Sequence, residues 1–272
     1  MKKPAQKKTT SSRKTQLSQK KKPSPKPNNA SATEKIQKVL ANAGLGSRRQ
    51  IETWLQIGRI TLNGQTAKLG DRMSVTDQVC VDGREINLVK SQHQQTRVLL
   101  YHKPEGEMCT RQDPEGRPTI FDHLPSIRNS RWICVGRLDL NTSGLLLITN
   151  NGQLANQLMH PSSQIEREYA VRIRGEASPE KLAKLQKGVR LEDGMARFET
   201  VIDVGGKGTN HWYQVTVKEG RNRLVRRLWE ALDFTVSRLM RIRFGSVYLP
   251  AGLRRAHYYE LTEEEIKILS GL

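Results

Sequence analysis

The sequence has few cysteines and no pattern typical of a metal or cofactor site. Only 3 of its 272 residues are cysteines, and they lie far apart without forming a CxxC pair. Neither a disulfide framework nor a zinc knuckle is indicated, so we expect reduced thiols. The 6 histidines show no HxxxH or HExxH spacing, and no GxGxxG or Walker loop occurs. The sequence therefore predicts neither a metal site nor a nucleotide cofactor.

Long apolar runs are also missing. No run approaches the roughly 18 to 20 residues of a membrane span. The N-terminal lysines are not followed by the apolar stretch of a secretory signal. We therefore expect a cytoplasmic protein without membrane contact. Aromatic residues make up 5% of the chain, so the core is expected to be aliphatic.

Acidic residues are scarce relative to basic ones. The chain has 46 Lys and Arg against 27 Asp and Glu, for a formal net charge of +19. Such a field attracts polyanions, and nucleic acid is the leading candidate. Residues 1–33 contain ten basic residues and no acidic one, which predicts a disordered arm. This arm either holds phosphates without sequence preference or acts only as a solubilising tail.

Structure is predicted to begin at Thr33, as the N-cap of a helix whose apolar positions include Ile36 and Leu40. Ser47 would cap a second helix with Arg48 and Arg49 in its first turn. Positive charge there opposes the helix dipole but suits phosphate binding. Short strands joined by Asn-Gly and Asp-Gly turns follow, up to about residue 90.

The segment "KIQKVLANAGLGSRRQIETWLQIGRITLNG" resembles an S4 RNA-binding domain, spanning residues 34–90. The resemblance implies that Lys35, Arg48, Arg49 and Arg59 line a surface that faces RNA. A polar linker, residues 91–96, separates this module from the rest of the chain. From residue 97 to residue 272, strand-like segments alternate with helices. This order predicts an α+β domain with a mixed, largely antiparallel sheet and flanking helices.

The stretch "GRLDLNTSGLLLIT" places a single acid, Asp139, directly before an apolar block. A turn or cap residue is the commonest role for such an aspartate. An ion pair with Arg137 is geometrically poor, and a metal ligand lacks partner carboxylates in the motif. A catalytic carboxylate is the fourth interpretation, and it requires an arginine partner to stay ionised near RNA phosphates.

Two further segments stand out. In "EREYAVRIRG", Tyr169, Val171 and Ile173 alternate onto one strand face. Tyr169 is either a core residue or a flat ring on which a base stacks. In "EGRNRLVRRLWEAL", Val225 belongs to the apolar stripe of a helix and Arg226 lies at its edge. A solvated basic face explains most of these arginines, but their number exceeds what solubility requires.

The three motifs, in this order behind an S4 module, resemble the RsuA/RluB group of ribosomal RNA pseudouridine synthases. The segment "KPEGEMCTRQDPEGRPTIFDHLP" is most similar to the RluB branch, which acts on large-subunit ribosomal RNA. The resemblance implies that Asp139 is the catalytic carboxylate and that Tyr169 stacks on the target uracil. It also implies that Arg226 pairs with Asp139, that Val225 packs near the base and that Arg137 helps to hold a flipped nucleotide.

These residue types suit the reaction, because a carboxylate can act as nucleophile or base without any cofactor. We therefore expect an isomerase, acting as a monomer on ribosomal RNA or on a ribosome assembly intermediate. A non-catalytic RNA-binding or ribosome assembly factor is the alternative. DNA binding is disfavoured by the S4 resemblance.

Overall fold

The computed structural model describes Met1 and residues 33–74, 76–88 and 95–271. The predicted basic arm therefore lies outside the described residues except at its two ends. The predicted linker is described only from Gln95 onward. No helix among the described residues is long and apolar enough to cross a membrane.

The N-terminal unit packs two helices against small sheets. Its elements are β1 (Glu34–Lys35), α1 (Ile36–Asn42), α2 (Arg48–Gln56), β2 (Ile60–Leu62), β3 (Gln65–Thr66), β4 (Arg72–Met73), β5 (Val79–Val81) and β6 (Arg84–Glu85). β3, β2, β5 and β6 form a four-stranded sheet in that order, and β1 pairs with β4. Apolar residues of both helices, including the fully buried Ile36, Leu40 and Ile51, share one core with β2, β4 and β5.

The start of the first helix differs from the prediction, whereas the second helix confirms it. α1 begins after Lys35 rather than at Thr33, because Glu34 and Lys35 pair with Met73 and Arg72 as a strand. The Ser47 side chain accepts a hydrogen bond from the Gln50 amide at 3.1 Å, as an N-cap does.

The C-terminal unit is the α+β domain that the sequence predicts. Its elements are β7 (Val98–Lys103), β8 (Ile133–Cys134), β9 (Ser143–Thr149), α3 (Gly152–Met159), β10 (Arg167–Arg174), α4 (Pro179–Lys187), β11 (Val189–Leu191), β12 (Gly194–Ala196), β13 (Thr200–Lys207), β14 (Asn210–Val217), α5 (Leu224–Glu230), β15 (Val236–Phe244), β16 (Val247–Tyr248), β17 (Tyr258–Glu260) and α6 (Glu263–Ser270). The sequence patterns predicted no strand at β13 or β17 and no helix at α6.

One large mixed sheet organises this unit. Its main order is β13-β14-β10-β15-β9-β7-β17, with β16 beside β15 and β8 beside β9. The pairs are antiparallel except that β15 runs parallel to β9, where Arg241 lies opposite Gly144. A Cβ at Gly144 would lie only 2.2 Å from the Arg241 carbonyl oxygen, so only glycine fits there.

β9 is buried along its whole length because both faces of the sheet are covered. Leu145 and Leu147 pack with β7, α3 and α6 on one face. Leu146 and Ile148 pack with Tyr101, Ile120 and Trp132 on the other. The strand that follows Asp139 is therefore held on both sides, and its first residues fix where the preceding turn can lie.

Candidate active site

A cavity of about 1000 Å³ opens beside the N-terminal end of β9. Four of the predicted site residues line it, namely Arg137, Asp139, Tyr169 and Val225. They come from the loop before β9, from β10 and from α5, so the fold brings the three sequence motifs to one place. Arg226 does not line the cavity but is buried behind its wall, with 7% of its surface exposed.

Asp139 begins a tight turn, as the turn interpretation predicts. The amide of Thr142 donates to the Asp139 carbonyl oxygen at 3.0 Å and closes the turn. The Gly106 amide donates to the carbonyl of the next residue, Leu140, at 2.9 Å. Asp139 itself is half-buried, and none of the ion pairs among the described residues involves its carboxylate.

Lys103, at the end of β7, fixes the same turn from the interior and was missed by the sequence analysis. Its side chain is completely buried. Nζ donates to the carbonyls of Pro104 at 2.9 Å, Asp139 at 3.2 Å and Thr142 at 3.0 Å. Burial lowers the pKa of Lys103, whereas the nearby Cys109, Glu107 and Asp139 raise it.

Arg226 also holds the turn, although by a different contact from the expected one. Its Nη2 donates to the Asn141 carbonyl at 2.8 Å and its Nη1 to the Val236 carbonyl at 3.0 Å. The direct ion pair with Asp139 that the resemblance implies is not present among the described residues. Burial and the Arg223 guanidinium lower the pKa of Arg226, and the Asp139 carboxylate raises it. The guanidinium therefore interacts electrostatically with the Asp139 carboxylate and hydrogen-bonds to the main-chain carbonyl of Asn141, two residues further along the chain.

Tyr169 lies on β10 and is half-buried, with Val171 and Ile173 fully buried on the same strand face. The predicted alternation along this strand is therefore confirmed. Tyr169 packs against two of the hydrophobic clusters and still lines the cavity. Its ring is fixed by the core, and part of it remains accessible from the cavity.

The cavity wall is strongly basic. Besides Arg137, which is exposed, the wall contains Arg111, Arg131, Arg167 and Arg241. None of these five guanidiniums has a carboxylate partner among the ion pairs of the described residues. The other three arginines of the wall, Arg117, Arg221 and Arg223, are ion-paired, so the five unpaired guanidiniums leave positive charge that is suited to a polyanionic ligand.

The four predicted RNA-binding residues of the N-terminal unit differ in their ion pairing. Lys35 is exposed at the end of β1, and Arg48 and Arg49 are exposed in the first turn of α2. Arg59, in contrast, donates from Nε to the Asp82 carboxylate at 2.7 Å and lies over the Trp54 ring. No ion pair among the described residues involves Arg48 or Arg49, whereas the charge of Arg59 is compensated by Asp82.

One group of side chains outside the cavity has metal-ligand character. The ligand atoms of Glu176, Asp203 and His211 lie within 4.8 Å of one another. His211 Nε2 and Asp203 Oδ1 are 2.6 Å apart and satisfy each other. None of the three residues lines the cavity, so this cluster has no part in the chemistry of Asp139.

Comparisons with known proteins agree with the two units. The family model of RNA pseudouridylate synthases matches residues 97–231, and the model of the S4 domain matches residues 34–79. A ribosomal large subunit pseudouridine synthase B of Salmonella typhi is 56% identical over 242 residues, covering 88% of this chain and 83% of that relative. The protein of the same name from Escherichia coli K12 is 58% identical over 231 residues, covering 84% of this chain and 79% of that relative.

A solved structure shares the fold. A crystal structure of a pseudouridylate synthase superimposes with a TM-score of 0.61 and 24% sequence identity, covering 86% of this chain and 99% of that one. The resemblance that the three ordered motifs and the S4 segment suggest is confirmed by these relatives along most of both chains. The chain belongs to the RNA pseudouridylate synthase family and is an enzyme of the branch that has an N-terminal S4 domain.

Proposed function

We propose that this enzyme converts a uridine of large-subunit ribosomal RNA to pseudouridine, with Asp139 as its catalytic carboxylate. The relatives named ribosomal large subunit pseudouridine synthase B support this choice of RNA. The observation that carries the catalytic assignment is the position of Asp139. Asp139 and Glu219 are the two acidic residues that line the cavity among the described residues; Glu219 is ion-paired with Arg221, whereas Asp139 is in no ion pair and its turn is held from three sides.

The cavity residues suit the steps of the isomerisation. The N1–C1′ bond of uridine must break, the uracil must turn, and C5 must bond to C1′ before the C5 proton is lost. Asp139 supplies a carboxylate that can act as nucleophile or base along this route. Tyr169 offers a fixed ring on which the uracil stacks, a contact worth about 1 to 3 kcal/mol. Val225 gives the same wall an apolar surface.

The target nucleotide must leave its helix to reach Asp139, and we propose that Arg137 holds the flipped conformation. Arg137 is exposed at the cavity rim and lies two residues before the acid. Flipping costs a few kcal/mol of unstacking, which contacts to the extruded nucleotide must offset. Arg226 keeps the Asp139 turn in place and adds positive charge near the carboxylate.

The basic residues outside the cavity bind the RNA. We propose that residues 34–90 act as the RNA-binding domain and residues 97–272 as the catalytic domain, joined by linker 91–96. Lys35, Arg48 and Arg49 are exposed and available for phosphates, and the basic arm of residues 1–33 adds affinity that depends on salt. In this proposal the protein works as a cytoplasmic monomer on ribosomal RNA or an assembly intermediate.

The proposal is tested by incubating the purified protein with unmodified large-subunit RNA and mapping pseudouridines in the product. We expect a single modified position or a small number of positions, and the same positions unmodified in cells that lack the protein. An RNA-binding or assembly factor without catalysis would leave footprints on the RNA but no pseudouridine. Formation of pseudouridine only in small-subunit or transfer RNA would refute the choice of substrate.

A further inference from the structure

Arg241 is a buried cation whose hydrogen-bonding capacity is only partly used. Only 2% of its surface is exposed. Its Nε donates to the Leu145 carbonyl at 2.7 Å, whereas Nη2 is buried without a hydrogen-bond partner. Leaving a buried charged donor unpaired costs more than 1 to 3 kcal/mol, the range of a neutral group. Such an atom at the wall of a cavity indicates a ligand that completes its bonding.

The surroundings of Arg241 add to its charge. The Arg241 and Arg167 guanidiniums lie 5.3 and 5.2 Å from the centre of the same Phe244 ring. Arg167 donates to the carbonyls of Ile165 and Lys218, and burial together with the charge of Arg241 lowers its pKa. Neither cation has a carboxylate partner among the ion pairs of the described residues. Two neighbouring cations without a counter-ion form a site for negative charge.

The strand register places this site next to Tyr169. Tyr169 on β10 and Arg241 on β15 are direct cross-strand partners, and both line the cavity. Cross-strand partners point to the same face of the sheet, and the register shift between Glu168 and Tyr169 leaves both side chains of this pair on the cavity. A uracil stacked on Tyr169 would therefore have its edge within reach of the Arg241 guanidinium. An RNA phosphate fits this position less well, because only 2% of the Arg241 surface is exposed and a phosphate is bulkier than a carbonyl oxygen.

We propose that Arg241 is a catalytic residue that binds a carbonyl oxygen of the target uracil and stabilises the negative charge of the detached ring. This inference rests on the proposed conversion of uridine and on the stacking of the base on Tyr169. When the N1–C1′ bond breaks, its electron pair stays on the uracil, which becomes a monoanion shared between N1 and the carbonyl oxygens. The ring then turns, C5 bonds to C1′, C5 loses its proton and N1 gains one.

The charge on the uracil exists between the first and the second bond change, so a fixed guanidinium acts where charge develops. Preorganised donors that point at developing charge contribute about 100- to 1000-fold to kcat. The Nε bond to Leu145 keeps the guanidinium in place before the substrate arrives, so little reorganisation accompanies the reaction. Arg167, which lies over the same Phe244 ring as Arg241, adds to the positive potential at this position.

The test compares Arg241→Gln and Arg241→Lys with Arg238→Gln, an exposed arginine on the same strand that does not line the cavity. The substrate is an RNA fragment that carries the mapped target uridine, or the same fragment with 5-fluorouridine at that position. We expect kcat for Arg241→Gln to fall by about 100- to 1000-fold while the Kd for RNA stays within about twofold. Arg241→Lys retains the charge and should recover part of the loss, and Arg238→Gln should match the wild type.

The fluorinated substrate separates a chemical role from a structural one. Fluorine stabilises the uracil anion, so bond cleavage depends less on Arg241, and the loss in Arg241→Gln should be smaller with 5-fluorouridine. Consumption of 5-fluorouridine is followed by nucleoside analysis, since its C5 has no proton to lose. An equal loss on both substrates, an unchanged kcat, or a weaker Kd with an unchanged kcat would overturn the inference, the last by identifying a phosphate contact.

Failure of the inference can be told apart from failure of the proposed function. A wild-type enzyme that forms no pseudouridine in the fragment would overturn the proposed function and this inference with it. An active wild type together with a fully active Arg241→Gln would overturn this inference alone. If Arg241→Gln does not fold, the two-substrate comparison is made with Arg241→Lys, whose charge is retained but displaced, and the loss in this variant must still be smaller with 5-fluorouridine.

Discussion

The Lys103 ammonium nitrogen lies 3.2 Å from the main-chain carbonyl oxygen of Asp139. This contact joins the end of β7 to the turn that presents the proposed catalytic carboxylate. Together with the bond from Arg226 to Asn141, it fixes the backbone on both sides of Leu140. The position of the acid is therefore set by buried cations that act on carbonyl groups rather than by a salt bridge to its own side chain.

Replacing Lys103 by Met should reduce catalysis more than RNA binding. The substitution removes the donor to the Asp139 and Thr142 carbonyls and lets the turn shift. A displacement of about 1 Å can lower kcat by about 100-fold. We expect a loss of this order in kcat at saturating RNA, with Kd unchanged. Lys181→Met is the matched control, since Lys181 is an exposed residue whose Nζ donates to one carbonyl, that of Leu232, and neither residue lines the cavity. Full kcat in Lys103→Met would show that the turn holds without it.

Lys103 should also make the free energy of unfolding depend on pH in the alkaline range. Burial lowers the pKa of Lys103 below its ordinary value of 10.5. Between the folded and unfolded pKa values the unfolded state binds more protons, so the free energy of unfolding rises with pH. The wild type should therefore gain stability relative to Lys103→Met as the pH increases toward 10.5, in urea titrations of both proteins. A difference that stays constant or narrows across this range would contradict the assignment.

Gly144 should tolerate no side chain. A Cβ there would lie 2.2 Å from the Arg241 carbonyl oxygen, and the backbone has a φ of +103°. Gly144→Ala must separate β9 from β15, and we expect it to lower the free energy of unfolding by more than about 2 kcal/mol. Gly205→Ala is the control, because Gly205 has a φ of +87° with nothing within 4 Å of an added Cβ. Equal losses in the two variants would mean that the backbone conformation, not the close approach, accounts for the effect.

Arg48 and Arg49 should contribute more to RNA affinity than Arg59 does. Both are exposed in the first turn of α2, whereas Arg59 is ion-paired with Asp82. Arg48→Gln/Arg49→Gln should weaken binding and reduce the slope of log K against log salt by about 0.7 to 0.9 per lost phosphate contact. Arg59→Gln should change the slope little. Filter-binding titrations at several salt concentrations measure both, and a larger slope change for Arg59→Gln would reverse the assignment.

Much of the fold could be predicted because local patterns and tertiary structure agree. The Ser47 cap, the strand that follows Asp139 and the alternation around Tyr169 are where the sequence places them. β13 escaped prediction because it contains two glycines and has an exposed, partly polar pattern at the edge of the sheet. Thr33 is not a helix cap because the next two residues, Glu34 and Lys35, pair as a strand with Met73 and Arg72, which lie 39 and 37 positions further along the chain.

The sequence predicted the site residues that belong to the recognisable motifs, but not the residues and contacts outside them. Asp139, Tyr169 and Val225 come together in the cavity, as their order along the chain suggested. Lys103 was missed because lysine is rarely buried, and its four carbonyl acceptors are known only from the folded chain. The compensation of Arg59 by Asp82 depends on a contact between residues 23 positions apart, which no local pattern indicates.

The proposed role of Asp139 is tested most directly by Asp139→Asn, which keeps the shape of the side chain and removes the negative charge. Asp233→Asn is the matched control, because Asp233 is exposed, does not line the cavity and has a φ of +66° that asparagine accepts. Both purified variants are incubated with unmodified large-subunit RNA, and pseudouridine is quantified. We predict that Asp139→Asn binds RNA as the wild type does but forms no pseudouridine, while Asp233→Asn is fully active. Pseudouridine formation by Asp139→Asn at the wild-type rate would contradict the account.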